Sequence, residues 1–450
     1  MKPILLSVAI ACPITLPAAA AVPDAYRQLW SDPVVTKRID DNIERNRKGD
    51  MAIEVVGEDG RPVAGASLSV GQKTHAFLFG CNAFVLGQLD TPEKNARYEE
   101  AFVRIFNFAT VPFYWEGTEP TKGELRYAEG SRDIWRRPPA DRYPPFAKKY
   151  GVTLKGHPLL WHAYNPAWLP KDAAELKALY QKRFDEISTR YRDRIPIWDV
   201  VNESLVCKKE YPLYSDDRAY VAWAFKEAHQ RFKPEALLMI NEVTSVSHQA
   251  PPDSGYLRQI KELQKLGADV RGAGFQFHFF NEKSLQQYFA AATYAPAKML
   301  DVYDAFAELG LPLFVTEITI PTPAEDGQAV QAEVVRNLYR LWFSAPRMAG
   351  ITWWNLGDGT AVKGENVAKG GLLDEKLDPK DSYKAMDRLI NHDWKTTATL
   401  KTDAQGRGGF RGFYGKYAVS VAVGGTTQEF AVDLSKPGVG PQKLVMKQGK

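Results

Sequence analysis

Short apolar segments alternate with longer amphipathic segments through the middle of the chain. Eight runs rich in β-branched and aromatic residues lie between about residues 76 and 392, each of a length that suits a buried strand. The runs are AFLFG, FNFATVPF, VTLKGHPLLW, IPIWDVVNE, ALLMINE, VRGAGFQFHFF, LPLFVTEITI and AGITWWNLGD. Segments of helical period separate them, such as DAAELKALYQKRFDEISTRY, DRAYVAWAFKEAHQRF and AVQAEVVRNLYRLWF. This alternation predicts an α/β fold, a closed (β/α)8 TIM barrel over residues 76–392.

Both flanks of this region show the period-two alternation of strands. Residues 50–75 alternate around a Gly/Pro turn, and residues 393–450 contain two similar stretches. Because neither flank has enough strands to be stable alone, we expect them to pack together as a small antiparallel β unit. The aromatic and basic residues of FRGFYGKY (410–417) leave open whether this unit binds carbohydrate or only supports the barrel. Residues 22–49 are expected to form a helical lead-in.

The first 21 residues have the pattern of a secretory signal peptide. One lysine precedes an apolar stretch interrupted by Pro13 and Pro17, and alanines then suit cleavage near Ala20 or Ala21. No later segment has about 18 uninterrupted apolar residues, so we expect no membrane partner. The protein is therefore predicted to be exported, either periplasmic or extracellular.

Charge and short motifs exclude several classes of function. The chain has 58 Lys and Arg against 54 Asp and Glu, a formal net charge of +4 without a long basic run, so nucleic acid is not an expected partner. No GxSxG, HExxH or CxxC motif occurs, and we expect neither a cofactor nor a metal. Whether Cys81 and Cys207 form a disulfide bond stays open at this point.

Polar and aromatic residues stand at the C-terminal ends of six consecutive predicted strands, the edge that forms the active site of (β/α)8 barrels. They are His157, Trp161, His162, Asn202, Glu203, Asn241, Glu242, Gln276, His278, Glu317, Trp354, Asn355 and Asp358. A single one could be a helix cap or a core residue, but their convergence predicts one site. Two glutamates among tryptophans and amides suit glycoside hydrolysis, in which one carboxyl group protonates the leaving oxygen and the other attacks the anomeric carbon or activates water.

These residues resemble glycoside hydrolase family 10, retaining barrel enzymes that mostly act as endo-β-1,4-xylanases. The resemblance rests on seven motifs in order: TEPTKGELRY (118–127), GHPLLWH (156–162), WDVVNE (198–203), GFQFH (274–278), VTE (315–317), WW with GD (353–358) and GGLLDEKLDPKDSY (370–383). It implies a β-linked plant oligo- or polysaccharide as substrate, such as xylan or xylo-oligosaccharides, with Glu203 as general acid/base and Glu317 as nucleophile. It further implies that Asn202 binds the sugar 2-hydroxyl and that His278 orients the nucleophile. By the same resemblance, the subsite of cleavage is lined by His157, Trp161, Gln276 and Trp354.

The double displacement sets expectations for the two carboxyl groups. Glu203 should be protonated near neutral pH, with a pKa raised by an apolar site and a neighbouring negative charge. Glu317 should stay ionised among hydrogen-bond donors.

The chain departs from the family pattern mainly on the glycone side of the site. Thr110, Val111 and Tyr114 stand where the family has a Glu-Asn pair and a lysine, while Tyr164 replaces a glutamine, Val362 a tryptophan and Thr319 an aspartate. Because such groups hold sugar hydroxyls, the changes predict an altered or shortened glycone site around Tyr114 and Tyr164. Two alternatives remain: an exo-acting or aryl-β-glycosidase on non-xylan glycosides, and a carbohydrate-binding barrel without turnover.

Overall fold

A computed structural model describes residues 22–322 and 327–447. The predicted signal peptide lies outside the described residues. Two helices, α1 (Asp24–Ser31) and α2 (Pro33–Arg47), come first, followed by strands β1 (Lys48–Gly57) and β2 (Ser67–His75). Helix α2 begins where Asp32 accepts a hydrogen bond from the backbone N–H of Val34 at 2.7 Å, with Pro33 in the first turn.

The eight predicted apolar runs all form strands of one closed parallel barrel, which confirms the predicted fold class. Strand β11 pairs with β3 and closes the ring, and the third barrel strand is divided into β5 and β6, which both pair with β7. The strands are β3 (Leu78–Asn82), β4 (Phe108–Pro112), β5 (Thr153–His157), β6 (Leu160–Trp161), β7 (Ile197–Asn202), β8 (Leu237–Glu242), β9 (Gly272–His278), β10 (Leu313–Thr319) and β11 (Met348–Trp353).

Helices surround the barrel, and the longer ones cover its outer surface with their apolar faces, whereas α4, α8 and α13 are single turns in the connections. They are α3 (Pro92–Ile105), α4 (Trp115–Thr118), α5 (Tyr143–Tyr150), α6 (Ala173–Tyr191), α7 (Ala219–Arg231), α8 (Thr244–Ser247), α9 (Gly255–Lys265), α10 (Glu282–Ala290), α11 (Pro296–Ala307), α12 (Gly327–Ser344), α13 (Lys363–Asn366) and α14 (Asp381–Arg388). Short 3₁₀ turns occupy Ala140–Arg142, Ser204–Val206 and Ala292–Tyr294, and a π turn occupies Leu389–Asp393. Leu338 and Trp342 of α12 are fully buried, as the helical period of that segment predicts.

The two flanks pack together, as predicted, into a sandwich of two small sheets. The C-terminal strands are β12 (Thr397–Lys401), β13 (Arg407–Phe413), β14 (Gly415–Val423), β15 (Thr426–Leu434) and β16 (Gln442–Met446). The strand orders are β13-β1-β16 and β12-β2-β14-β15, and apolar residues such as Ile53, Leu68 and Val421 fill the space between the sheets. The expectation of a wholly antiparallel unit needs one correction, because β1 and β16 run parallel.

The sandwich adjoins the N-terminal ends of the barrel strands. Only two residues separate the end of β2 at His75 from the start of β3 at Leu78. The aromatic residues of segment 410–417 pack inward, with Phe413 in the barrel core and Tyr417 in the sandwich core. This packing favours a supporting role for the segment.

Two further expectations concern the membrane and the cysteines. Across residues 22–322 and 327–447, no helix is long and apolar enough to cross a bilayer. Cys81 is buried in β3 and Cys207 is partly exposed after β7, and both are free thiols. Cys81 and Cys207 therefore form no disulfide bond with each other.

Candidate active site

A cavity of about 320 Å³ opens at the C-terminal ends of the barrel strands. Eight of the ten predicted site residues line it: Tyr114, Trp161, Tyr164, Glu203, Gln276, His278, Glu317 and Trp354. The other two, Asn202 and His157, are buried beneath it. Asn202 Oδ1 accepts a hydrogen bond from Gln276, and His157 Nε2 lies 3.8 Å from Glu317 Oε1. The remaining strand-end residues do not line the cavity: His162, Asn241, Glu242, Asn355 and Asp358. Glu242 instead accepts hydrogen bonds from Ser204 and the Leu205 N–H, and Asp358 pairs with Lys380 at 3.2 Å.

Local irregularities in the strands direct both glutamates into this cavity. The pairing of β9 with β10 shifts register between Val315 and Glu317, and that of β7 with β8 shifts between Asp199 and Val201. Glu203 itself has φ +57° and ψ +42°, a left-handed conformation that is uncommon for a residue with a side chain. Such bulges and backbone strain re-aim side chains, and they cluster at functional sites.

A chain of amide groups connects the two carboxyl groups. Gln276 donates to Glu203 Oε1 at 2.8 Å, and Asn241 donates to Glu317 Oε1 at 2.9 Å. Gln276 Nε2 and Asn241 Nδ2 also donate to Asn202 Oδ1, at 3.5 Å and 2.8 Å. Asn202 Nδ2 is buried and has no partner among the described residues. It therefore remains available to donate to a ligand hydroxyl.

Glu203 combines two hydrogen-bond donors with an apolar setting. Besides the Gln276 amide, the indole N–H of Trp161 donates to its Oε2 at 3.0 Å. Burial and the charge of Glu317 raise the pKa of Glu203 to about 6, against the opposing effect of the two donors. The direction of this shift agrees with the expectation for a carboxyl group that donates a proton.

The pKa of Glu317 is higher than we expect for a carboxyl group that stays ionised. Burial raises its pKa to about 7, although His157, Lys155 and the Asn241 amide all favour its ionised form. Lys155 Nζ and His157 Nδ1 both contact Asp199 Oδ2, at 2.6 and 2.7 Å, and His157 Nε2 lies 3.8 Å from Glu317 Oε1. Because both glutamates are buried in one site, the pair is expected to keep a shared proton rather than ionise fully at neutral pH.

Thr319, which replaces an aspartate of the family pattern, still makes a contact with His278. Its Oγ1 lies 2.9 Å from Nδ1 of His278, whose Nε2 lies 3.1 Å from Glu317 Oε2. Burial lowers the pKa of His278 to about 4, so the ring is neutral near pH 7. When Glu317 is ionised, Nε2–H must donate to it, and Nδ1 then accepts the hydroxyl hydrogen of Thr319.

Aromatic rings form the walls around the carboxyl pair. Trp161 stacks on Tyr164 with centroids 5.0 Å apart, and Tyr114 contacts Trp161 at 5.6 Å. Trp354 lies 5.8 Å from the His157 ring. These rings exclude water from the carboxyl groups and present apolar faces of the kind that pack on sugar rings.

Three charged residues of the cavity wall were missed by the sequence reasoning: Arg136, Arg137 and Glu365. They lie in the connections after β4 and β11, outside any periodic segment. The available signal was the length of the loop after α4, because long loops at this face of a barrel commonly carry functional residues.

Comparison with known proteins agrees with this geometry. The family model for glycosyl hydrolase family 10 matches residues 91–388. Endo-1,4-beta-xylanase B of Thermotoga neapolitana is 27% identical over 325 residues, covering 66% of this chain and 85% of the relative. Anti-sigma-I factor RsgI6 of Acetivibrio thermocellus is 24% identical over 395 residues, and the match covers 86% of this chain but only 46% of that relative.

Solved structures give the same result. Xylanase 10B from Thermotoga petrophila RKU-1, solved in complex with xylobiose, superimposes with a TM-score of 0.59 at 25% identity. The match covers 71% of this chain and 95% of the xylanase chain. Since the family model spans about two thirds of the sequence and includes both glutamates, the chain belongs to glycosyl hydrolase family 10.

Proposed function

We propose that the protein is a retaining β-glycosidase that acts on short β-1,4-xylosides or related plant β-glycosides. The observation that carries this proposal is the joining of Glu203 and Glu317, in one cavity, through the amides of Gln276, Asn202 and Asn241. This arrangement supplies two carboxyl groups and a free amide donor at the place where a sugar would lie.

In the first step, Glu203 transfers its proton to the glycosidic oxygen while the Glu317 carboxylate bonds to the anomeric carbon. The bond between the anomeric carbon and the leaving oxygen breaks, and the aglycone departs as an alcohol. Asn202 Nδ2 donates to the sugar 2-hydroxyl, a hydrogen bond that strengthens in the transition state.

In the second step, Glu203 acts as the base. Formation of the ester removes the negative charge of Glu317, which is one cause of the raised pKa of Glu203. The pKa of Glu203 therefore falls, and its carboxylate takes a proton from water as the water oxygen bonds to the anomeric carbon. The ester bond breaks, Glu317 is released as a carboxylate, and the sugar leaves with its β configuration retained.

The glycone side supports action near a chain end rather than in the middle of a long polymer. Arg136, Arg137 and Val362 line the catalytic cavity on one side and a second, outer cavity on the other. They therefore form a wall between the two cavities. We propose that this wall and Tyr114 limit the number of sugar units on the glycone side.

The test is product analysis with the purified full chain. Xylan, xylo-oligosaccharides of increasing length and aryl β-glycosides are incubated with the protein, and the first anomer released is identified by ¹H NMR. We expect the β anomer to appear before mutarotation, with release of one short unit at a time from oligosaccharides. An initial α anomer would contradict retention, and rapid depolymerisation of xylan to mixed oligomers would contradict the shortened glycone side.

The pH dependence of kcat/KM is expected to be bell-shaped, with its maximum between about pH 6 and 7. Burial raises the pKa to about 6 for Glu203 and about 7 for Glu317, so the coupled pair holds one proton in this interval, and turnover proceeds from the form in which Glu203 carries it. Below it the pair takes up a second proton and the nucleophile is neutralised, whereas above it the pair loses the proton needed for the leaving group. Rates on an uncharged substrate from pH 4 to 9 check this, and an optimum below pH 5 would contradict it.

A further inference from the structure

Two adjacent arginines stand on the glycone side of the catalytic cavity. Arg136 is 4% exposed and Arg137 is 9% exposed, although arginine is rarely buried so completely without a partner. The Arg137 guanidinium lies 3.9 Å from the centre of the Tyr114 ring. Tyr114 replaces the lysine of the family pattern, so the cationic charge lost at position 114 returns from a later part of the same connection after β4.

The hydrogen bonds of the two guanidinium groups are incomplete. Arg136 Nη1 donates to Asn355 Oδ1 at 2.5 Å and to the carbonyl oxygen of Thr360, and Arg137 Nη1 donates to the carbonyl oxygen of Arg136 at 3.0 Å. The Nε atoms of both arginines are buried and have no partner among the described residues. Neither Nη2 atom has a hydrogen-bond acceptor among the described residues either, and these two atoms, unlike the Nε atoms, are not fully enclosed. An acceptor bound in the cavity would therefore stabilise the two charged groups.

Carboxylates of the protein do not satisfy these charges. Over residues 22–322 and 327–447, Arg136 makes no ion pair within 4.0 Å. Arg137 Nη2 lies 3.9 Å from Glu116 Oε1, beyond hydrogen-bond distance, and the Glu116 side chain is 42% exposed in the outer cavity. Neither guanidinium group therefore makes a hydrogen-bonded ion pair with a carboxylate of the described residues, although Glu365 acts on Arg136 electrostatically at longer range.

Glu365 is the remaining acidic group on the glycone side of the cavity. It is held by the Asn355 amide, which donates to its Oε2 at 3.0 Å, while the oxygen of the same amide accepts from Arg136. On the glycone side two positive charges thus face one negative charge, and the catalytic pair with its shared proton contributes one more negative charge to the cavity. The excess of positive charge is therefore local to the two arginines, where it favours a ligand group that carries one negative charge next to hydroxyl groups.

We propose that the glycone site binds a sugar bearing a carboxylate, that is, a hexuronic acid unit, through Arg137 and Arg136. A guanidinium group and a carboxylate match in geometry and form charge-assisted hydrogen bonds. A hexuronic acid would then be the sugar class that the proposed glycosidase accepts. The turnover test of this proposal depends on the proposed function, whereas the binding tests do not require hydrolysis. Neutral sugars are expected to bind more weakly, because they leave the buried guanidinium charge without a counter-charge.

Binding of free sugars to the full chain tests the inference without requiring turnover. Sodium D-glucuronate, D-galacturonate and D-mannuronate are each titrated by calorimetry against the matching neutral hexose at constant ionic strength. At least one uronate is expected to bind about 10-fold or more tightly than its hexose, the range of a charge-assisted hydrogen bond. If none of the three is preferred over its hexose, the inference is overturned.

Variants then assign the preference to the arginines. Arg137→Gln is expected to remove the preference for the uronate, because it lowers uronate affinity by far more than hexose affinity when the interaction with the carboxylate is lost. Arg132→Gln is the matched control, since Arg132 belongs to the same loop but its side chain is 56% exposed and lies outside the cavity. Thermal melts of both variants report folding. Equal losses for uronate and hexose in a folded Arg137→Gln protein would overturn the inference.

Turnover separates this inference from the proposed function. The 4-nitrophenyl β-glycosides of the best-bound uronic acid and of its hexose are compared at pH 6.5. Hydrolysis of both at equal kcat/KM would leave the glycosidase in place and overturn the acidic glycone. Absence of hydrolysis with any glycoside, together with uronate binding that depends on Arg137, would instead refute the glycosidase and uphold the binding site.

Discussion

Glu317→Gln is expected to lower kcat about 10⁴-fold or more on the best substrate of the wild-type protein, because the amide cannot form the glycosyl ester. Folding should be preserved, since the amide oxygen can still accept from Asn241 and the volume is unchanged. Stopped assays over many hours with purified protein would measure the residual rate. A loss of less than about 100-fold would contradict the role of Glu317 as the nucleophile.

A rescue experiment distinguishes loss of the nucleophile from general damage. In Glu317→Ala, azide can occupy the space of the missing carboxylate and attack the anomeric carbon of a substrate with a good leaving group. The product is then the α-glycosyl azide, formed in one displacement with inversion. Recovery of rate with azide and identification of this anomer by NMR support the proposed role, whereas a β azide would assign the nucleophile to another residue.

Glu203→Ala is expected to lower kcat about 10²–10⁴-fold on substrates whose leaving group needs a proton. With a dinitrophenyl glycoside, whose leaving group departs without protonation, formation of the glycosyl ester should be nearly unaffected. Hydrolysis of the ester should then limit the rate, because Glu203 also activates water in the second step. A burst of dinitrophenolate followed by a slow steady state, recorded by stopped flow, is the expected result.

The same variant provides its own control with azide. Azide needs no general base, so it should release the sugar from the ester in Glu203→Ala and raise the steady-state rate. The sugar then leaves as the β-glycosyl azide, since two displacements restore the configuration. Equal losses of rate for good and poor leaving groups, without a burst, would contradict a general acid/base role. Binding of ligand with no turnover by the wild-type protein would favour the non-catalytic alternative.

The barrel was predictable because its strands are buried on both faces. Each run between Leu78 and Trp353 is apolar for longer than an exposed strand would be, and polar residues mark the point where it reaches the active-site rim. The pattern of apolar runs with polar ends is therefore enough to indicate Glu203 and Glu317. The parallel pairing of β1 with β16 was less predictable, since alternation in a strand does not specify the direction of its partner.

The electrostatics of the site depended on contacts that sequence does not contain. Nothing in the VTE motif indicates that Glu317 is buried deeply enough to raise its pKa to about 7. Nor does the replacement by Thr319 show that a hydroxyl group reaches His278 Nδ1 at 2.9 Å. Arg136 and Arg137 were invisible for a related reason, because a long loop has no periodicity from which the position of a side chain can be inferred.

The pairing of the flanking strands also governs when they can form during synthesis. Both neighbours of β1, and both neighbours of β2, lie after residue 396. These two N-terminal strands therefore have no pairing partners until the ribosome has made the entire barrel. Until then their edges are open to other chains, which makes this interval the period of greatest aggregation risk.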